Sequence, residues 1–200
     1  MNGPPGAGYP RPMNLLHRLR QTLRTPPPLH LHGIPVQLVT ARPDIDGAAV
    51  LERLDEALAL IAHYAPRRFR HLQRDIRGIR VERFPTRGAY FPDTRTVLTE
   101  LTFLARRDIS AAPVASSILH EGVHARVHAF RTRVLGGGGP PDPAREERLC
   151  RRAELAFGRA LPEALGAPVV ERALATLALA DAEVAPAIDW NEAMGKVREG

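Results

Sequence analysis

Residues Ser116 to Phe130 read SSILHEGVHARVHAF, with two histidines four apart and a glutamate directly after the first. On a helix, positions four apart differ by about 40° in direction and about 6 Å in height. His120 and His124 therefore point the same way, one turn apart, and their imidazoles can reach one metal ion. Glu121 stands about 100° round from His120, too far to complete the ligand set but placed to meet a water on the metal. That is the chemistry of the H-E-x-x-H pattern: the metal activates a water and polarises a carbonyl, and the carboxylate takes and returns the proton. This composition would produce the pattern by chance only about 0.02 times in a chain of this length, so it outweighs a helix of solvated or core histidines. Ile118, Val123, Val127 and Phe130 are expected to give the helix its apolar backing.

His128 lies about 12 Å along the axis from His120, beyond the reach of a single ion. The metzincin extension H-E-x-x-H-x-x-G-x-x-H also fails, because Val127 and Phe130/Arg131 occupy the required positions. His128 is expected to support the site or face solvent.

Upstream, IPVQLVTA (34–41) reads as a strand. Residues 44–65 form a helix with Val50, Leu54, Leu58 and Ile61 on one face, closed by Pro66. A strand over 76–85 follows. The stretch 88–104 holds a turn at FPDTR and then a strand with Val97, Thr99, Leu101 and Phe103 on one face. The motif helix is predicted from about Pro113 to Leu135. It ends at GGGGPPDP, where Asp142 caps the next helix and Pro143 opens it. That helix runs to about 161, and another spans about 168–182. The order implies an α+β domain with a small, mostly antiparallel sheet packed on the motif helix and those that follow.

The remaining ligand must come from another element, and REERLCRRAELAF (145–157) carries Glu146, Glu147 and Glu154. HEGVH followed by EERLCRRAE resembles the gluzincin metallopeptidases, the thermolysin-like zincins, over roughly residues 88–161. The resemblance implies a zincin-like fold, Zn2+, peptide-bond hydrolysis and a third ligand glutamate on a second helix. It also implies that TRTVLTELTF (94–103) is the edge strand that aligns a peptide substrate. An aspartate often found four residues after the ligand glutamate in that group is replaced here by Cys150 or Arg151. On a helical wheel Leu149, Ala153, Ala156, Phe157 and Ala160 define the expected buried stripe. Glu146 projects near its centre, and Glu147, Cys150 and Glu154 lie on its flank. A ligand belongs at the rim of the core, which favours Glu147, with Glu154 as its support and Glu146 as the next choice. Cys150 reads as a small core residue. Tyr90 or an arginine could stabilise an oxyanion, and no spacing selects one.

The net charge is +6, and Lys196 is the sole lysine among 28 basic residues. The densest basic run, APRRFRHLQRDIRGIRVER (65–83), lacks zinc-finger spacing, RNP-like aromatics or a recognition-helix motif. It reads as a solvated face rather than a nucleic-acid site. One cysteine excludes an internal disulfide, and no apolar run is long enough to span a bilayer. The expectation is a cytoplasmic protein with a flexible Pro/Gly-rich basic arm over 1–32, His30 and His32 included. A catalytic domain over 33–185 and a C-terminal tail over 186–200 follow. The function expected is a zinc-dependent hydrolase acting on a peptide or protein, with His120, His124 and Glu147 on the metal and Glu121 as general base. The alternatives are a non-catalytic interaction or regulatory protein on the same fold and, further off, a basic nucleic-acid-associated protein.

Overall fold

The computed structural model describes residues 29–40, 42–134, 136 and 142–185. Residues 1–28 of the arm expected over 1–32, most of the glycine-rich loop and the tail over 186–200 lie outside them. Five strands form one sheet in the order β1-β2-β3-β5-β4: β1 (Leu29–Leu31), β2 (Ile34–Leu38), β3 (Gly78–Glu82), β4 (Gly88–Phe91) and β5 (Thr96–Glu100). β2 runs parallel to β3 and β3 parallel to β5, while β1 and β4 are antiparallel to their neighbours. The sheet is therefore mixed, with a parallel centre and antiparallel edges, and not mostly antiparallel. The reason is the crossover between β2 and β3, since parallel neighbours need a long connection, usually helical.

That connection is two helices, α1 (Gly47–Tyr64) and α2 (Pro66–Asp75). Asp46 caps α1 by accepting from the Ala48 amide at 2.9 Å. Val50, Leu54, Leu58 and Ile61 are all buried, as their spacing predicts. Pro66 ends α1 and opens α2, because a proline lacks the amide a helix interior needs but is tolerated at the first position. α2 lies within the basic run 65–83, which is a helix here, and Phe69 and Leu72 are its buried anchors.

β1 falls within the stretch expected to be arm. It joins β2 through a two-residue turn at His32 and Gly33, whose φ values of 49° and 77° suit a tight hairpin. The segment expected as one strand to Phe103 stops at Glu100. The Glu100 side chain accepts from the Phe103 amide at 2.6 Å and starts a short helix, α3 (Leu101–Ala105). Leu101 and Phe103 are thus helical. β5 is also interior, paired on both sides, and β4 is the edge strand instead.

The motif helix α4 (Ala111–Val134) packs against β4, β5, α1 and α2. Register places Gly88 opposite Thr99 and Tyr90 opposite Val97, so Gly88 and Tyr90 share the sheet face that meets α4. Ile118 is buried and Val123 and Val127 are half-buried, but Phe130 is 45% exposed. α5 (Pro143–Ala160) begins as expected, with Asp142 accepting from the Arg145 amide and Pro143 at the first position. Its buried face is Cys150, Ala153, Glu154, Phe157 and Gly158, while Leu149 is 43% exposed and Ala156 and Ala160 are exposed. The expected stripe is rotated, because this helix turns polar groups inward toward the histidines. α6 (Glu163–Leu177) starts five residues earlier than expected with Pro168 inside it, and a short α7 (Asp181–Val184) follows. No helix among the described residues is long and apolar enough to cross a membrane.

Candidate metal centre

α4 and α5 pack side by side, and the site lies between them. His120 and His124 project from α4 with their Nε2 atoms 3.2 Å apart. Across from them, on α5, Glu147 sets Oε2 at 3.3 Å from His120 Nε2 and Oε1 at 3.1 Å from His124 Nε2. The two imidazole nitrogens thus lie 3.2 Å apart, and each faces a different oxygen of the one carboxylate at 3.1 to 3.3 Å. Ligands of a tetrahedral ion at 2.0–2.1 Å stand about 3.3 Å from one another. The donor set fits a divalent cation in type and in spacing.

The other ring nitrogens are also committed. His120 Nδ1 donates to Glu154 Oε1 at 2.6 Å, and His124 Nδ1 donates to Glu146 Oε1 at 2.8 Å. A neutral imidazole that donates through Nδ1 keeps the lone pair on Nε2, which leaves both inward nitrogens available to coordinate. Glu154 is fully buried and further held by Ser116 Oγ at 3.0 Å and Arg151 Nη1 at 2.6 Å. Glu146 is held by Arg131 Nη1 at 3.0 Å.

Cys150 belongs to the same cluster. One nitrogen from each histidine and the Cys150 sulfur all lie within 4.8 Å of one another, so His120, His124 and Cys150 together can hold a metal ion. The thiol is fully buried, as a core residue is, and faces the histidines as well. It lies three residues after Glu147, with Glu154 seven after, and this 3-and-7 spacing is the signal that the polar stripe faces the histidines.

Burial and ion pairing set the charges. Burial alone would lower the proton affinity of His120, but the Glu147 and Glu154 carboxylates overcome it and raise its pKa to about 10. His124 is likewise raised, against burial, by Cys150, Glu146 and Glu147. Burial pushes Glu147 up, and the two imidazoles outweigh it and pull the group well below the usual carboxylate range. Glu154 is lowered in the same way by His120 and Arg151.

Glu121 differs from its acidic neighbours. It is buried and no hydrogen-bond partner holds it among the described residues. Burial raises its pKa; His120 and His124 oppose the rise and Glu147 and Glu154 reinforce it. It lies against the edge strand: a Cβ built on Gly88 would stand 3.2 Å from Glu121 Oε1 and 3.1 Å from Ser117 Oγ. Two residues along β4, the Tyr90 hydroxyl lies 3.3 Å from His128 Nδ1. His128 therefore contacts the edge strand and stands apart from the three donors.

The chain matches no known protein family, no curated protein and no solved structure. Any functional reading rests on this geometry.

Proposed function

We propose that the protein is a zinc-dependent hydrolase that cleaves peptide bonds, a compact zincin-like enzyme of the gluzincin type. The observation that carries this reading is the grouping of His120 Nε2, His124 Nε2 and the Glu147 carboxylate, at the separations a tetrahedral ion requires. These three residues are the ligands. Glu154 and Glu146 orient the imidazoles through Nδ1. Zinc held there would make a water more acidic and polarise the scissile carbonyl. Glu121 takes a proton from the attacking water onto its carboxylate and returns it to the amide nitrogen as the C–N bond breaks. Its burial favours the protonated form, the direction that suits a group cycling a proton near neutral pH. β4 pairs only with β5 among the described residues, so its outer edge can hydrogen-bond an extended peptide beside Glu121.

The test combines elemental analysis with turnover of an unfolded protein substrate. About one zinc per chain is expected, sharply reduced in His120→Ala, His124→Ala and Glu147→Gln. Glu121→Gln should keep zinc and lose at least about a hundredfold in turnover. A wild-type protein that stays free of metal after zinc reconstitution overturns the reading.

A second reading rests on Cys150. If its sulfur is a fourth protein ligand the site is closed, as in structural zinc sites, and the protein is a non-catalytic interaction module. Tight zinc without turnover, lost in Cys150→Ala, favours that reading.

A further inference from the structure

The face of α4 away from the metal donors meets α2, and there the arginines gather. Residues 66–77 hold five arginines and one acid, Asp75; residues 122–134 hold three arginines and no acid. Asp75 has no solvent exposure. Arg74 grips it with two hydrogen bonds of 2.9 Å, and Arg126 and Arg133 of α4 each come within 3.6 Å. Arg95 reaches over from the β4–β5 turn to the carbonyls of Asp75 and Arg74, at 3.0 and 2.9 Å. Three guanidiniums thus gather at one buried carboxylate, and a fourth, Arg95, sits on the main-chain carbonyls beside it. What solvent meets at this place is positive charge.

Beside them Arg67, Arg70 and Arg77 are exposed, with no side-chain partner among the described residues. Arg67, Arg70 and Arg74 recur at helical spacing along about 10 Å of α2. His71, half-buried between α2 and α4, has a pKa lowered by burial and then by Arg126 and Arg74, consistent with a positive local field. Phe130 adds a feature that charge alone does not explain. It is four residues after Arg126 and three before Arg133, on the same stripe of α4, and its ring is 45% exposed. An exposed aromatic among guanidiniums presents a flat apolar surface next to phosphate-binding groups.

We infer that this face binds single-stranded nucleic acid, with a base stacked on Phe130 and the phosphates on Arg67, Arg70, Arg77, Arg126 and Arg133. Guanidinium forks match phosphate oxygens, and Arg126 and Arg133, already drawn toward Asp75, have less freedom to lose on binding. Base stacking requires unpaired bases, which a duplex does not offer. An acidic protein partner would satisfy the arginines but gives no role to one ring standing among them. The site lies across α4 from the metal donors and does not depend on zinc or turnover.

The test is fluorescence-anisotropy titration of the full chain with labelled 20-nucleotide DNA and RNA single strands, the 20-base-pair duplex and poly-glutamate, at 50 and 200 mM salt. Either single strand should bind more tightly than duplex, and DNA against RNA identifies the natural source. Binding should fall steeply with salt, as neutralised phosphates release counterions. Phe130→Ala should weaken single-strand binding about fivefold or more and leave duplex binding unchanged. Combined Arg67→Gln, Arg70→Gln and Arg77→Gln should weaken it at least tenfold and flatten the salt slope by about 2. Melting temperature and metal content of both variants should equal wild type, since these side chains are exposed. Duplex bound as tightly as single strand, poly-glutamate bound as tightly as either, unchanged binding in the arginine or Phe130 variant, or no binding at 50 mM salt would each overturn the proposal.

Discussion

Glu154 holds three groups at once: His120 Nδ1, Ser116 Oγ and Arg151 Nη1 all donate to its carboxylate. Glu154→Gln keeps the shape but loses the charge that fixes the imidazole tautomer, so zinc affinity should fall about 10- to 100-fold. Competition with a chromogenic chelator reads this directly, and unchanged affinity would remove Glu154 from the site. Cys150→Ala separates the two readings of the centre. If zinc has three protein ligands and an open position, the variant keeps its metal and its turnover. At this scale the sequence was most legible where one helix carries its own periodicity, as with His120, Glu121 and His124. Cys150 was hidden, because a lone thiol on a mixed helix face looks like packing until the opposite helix is known.

Among the elements, α5 and α6 approach through glycines. A Cβ on Gly166 would lie 2.1 Å from the Gly158 carbonyl oxygen, and one on Gly158 would lie 3.0 Å from Val169 and Val170. The first clash is with backbone and no rotamer change relieves it. Gly166→Ala should therefore destabilise by about 3 kcal/mol, as overpacked cores do, and shift the helix that carries Glu147 and Glu154. Urea denaturation with and without zinc checks this; a loss under about 1 kcal/mol would mean the helices can separate freely. Gly88→Val tests the contact between β4 and Glu121: turnover should fall while zinc is retained. Helices with one apolar stripe, such as α1, were legible from spacing. The rotated face of α5 was not, since its inward side is polar and periodicity in apolar residues misses it. The strand order was also hidden, because β4 and β5 are both short and only tertiary pairing makes one of them the edge.

For the whole molecule, the coupled imidazoles and carboxylates link stability to pH. His120 is raised to about 10 in the fold, and His124 is raised as well. Without metal, the stability they confer is fully present below the ordinary histidine pKa of about 6.5 and is lost as pH rises toward 10. Glu147 and Glu154 are lowered, so their contribution is present above about 4.5 and is lost as pH falls through their depressed values. In chelator, the melting temperature should therefore decline from pH 6.5 to 10. In zinc it should hold, because the metal replaces the protons it must displace. A flat profile in chelator would contradict the ion-paired centre. The mixed α+β class was legible from the order of elements. The parallel centre of the sheet was not, for want of any local signal that distinguishes a parallel strand in a chain with so few strands.

The candidate donors and the groups that support them all fall between Ser116 and Glu154, on α4 and α5. The parallel pairing of β2 with β3 is built by a different stretch, through α1 and α2. All of the candidate donors thus sit on two helices, whereas Glu121 meets Gly88 only where the sheet has brought β4 into place. The groups that could hold a metal and the edge that would take a substrate belong to different parts of the fold.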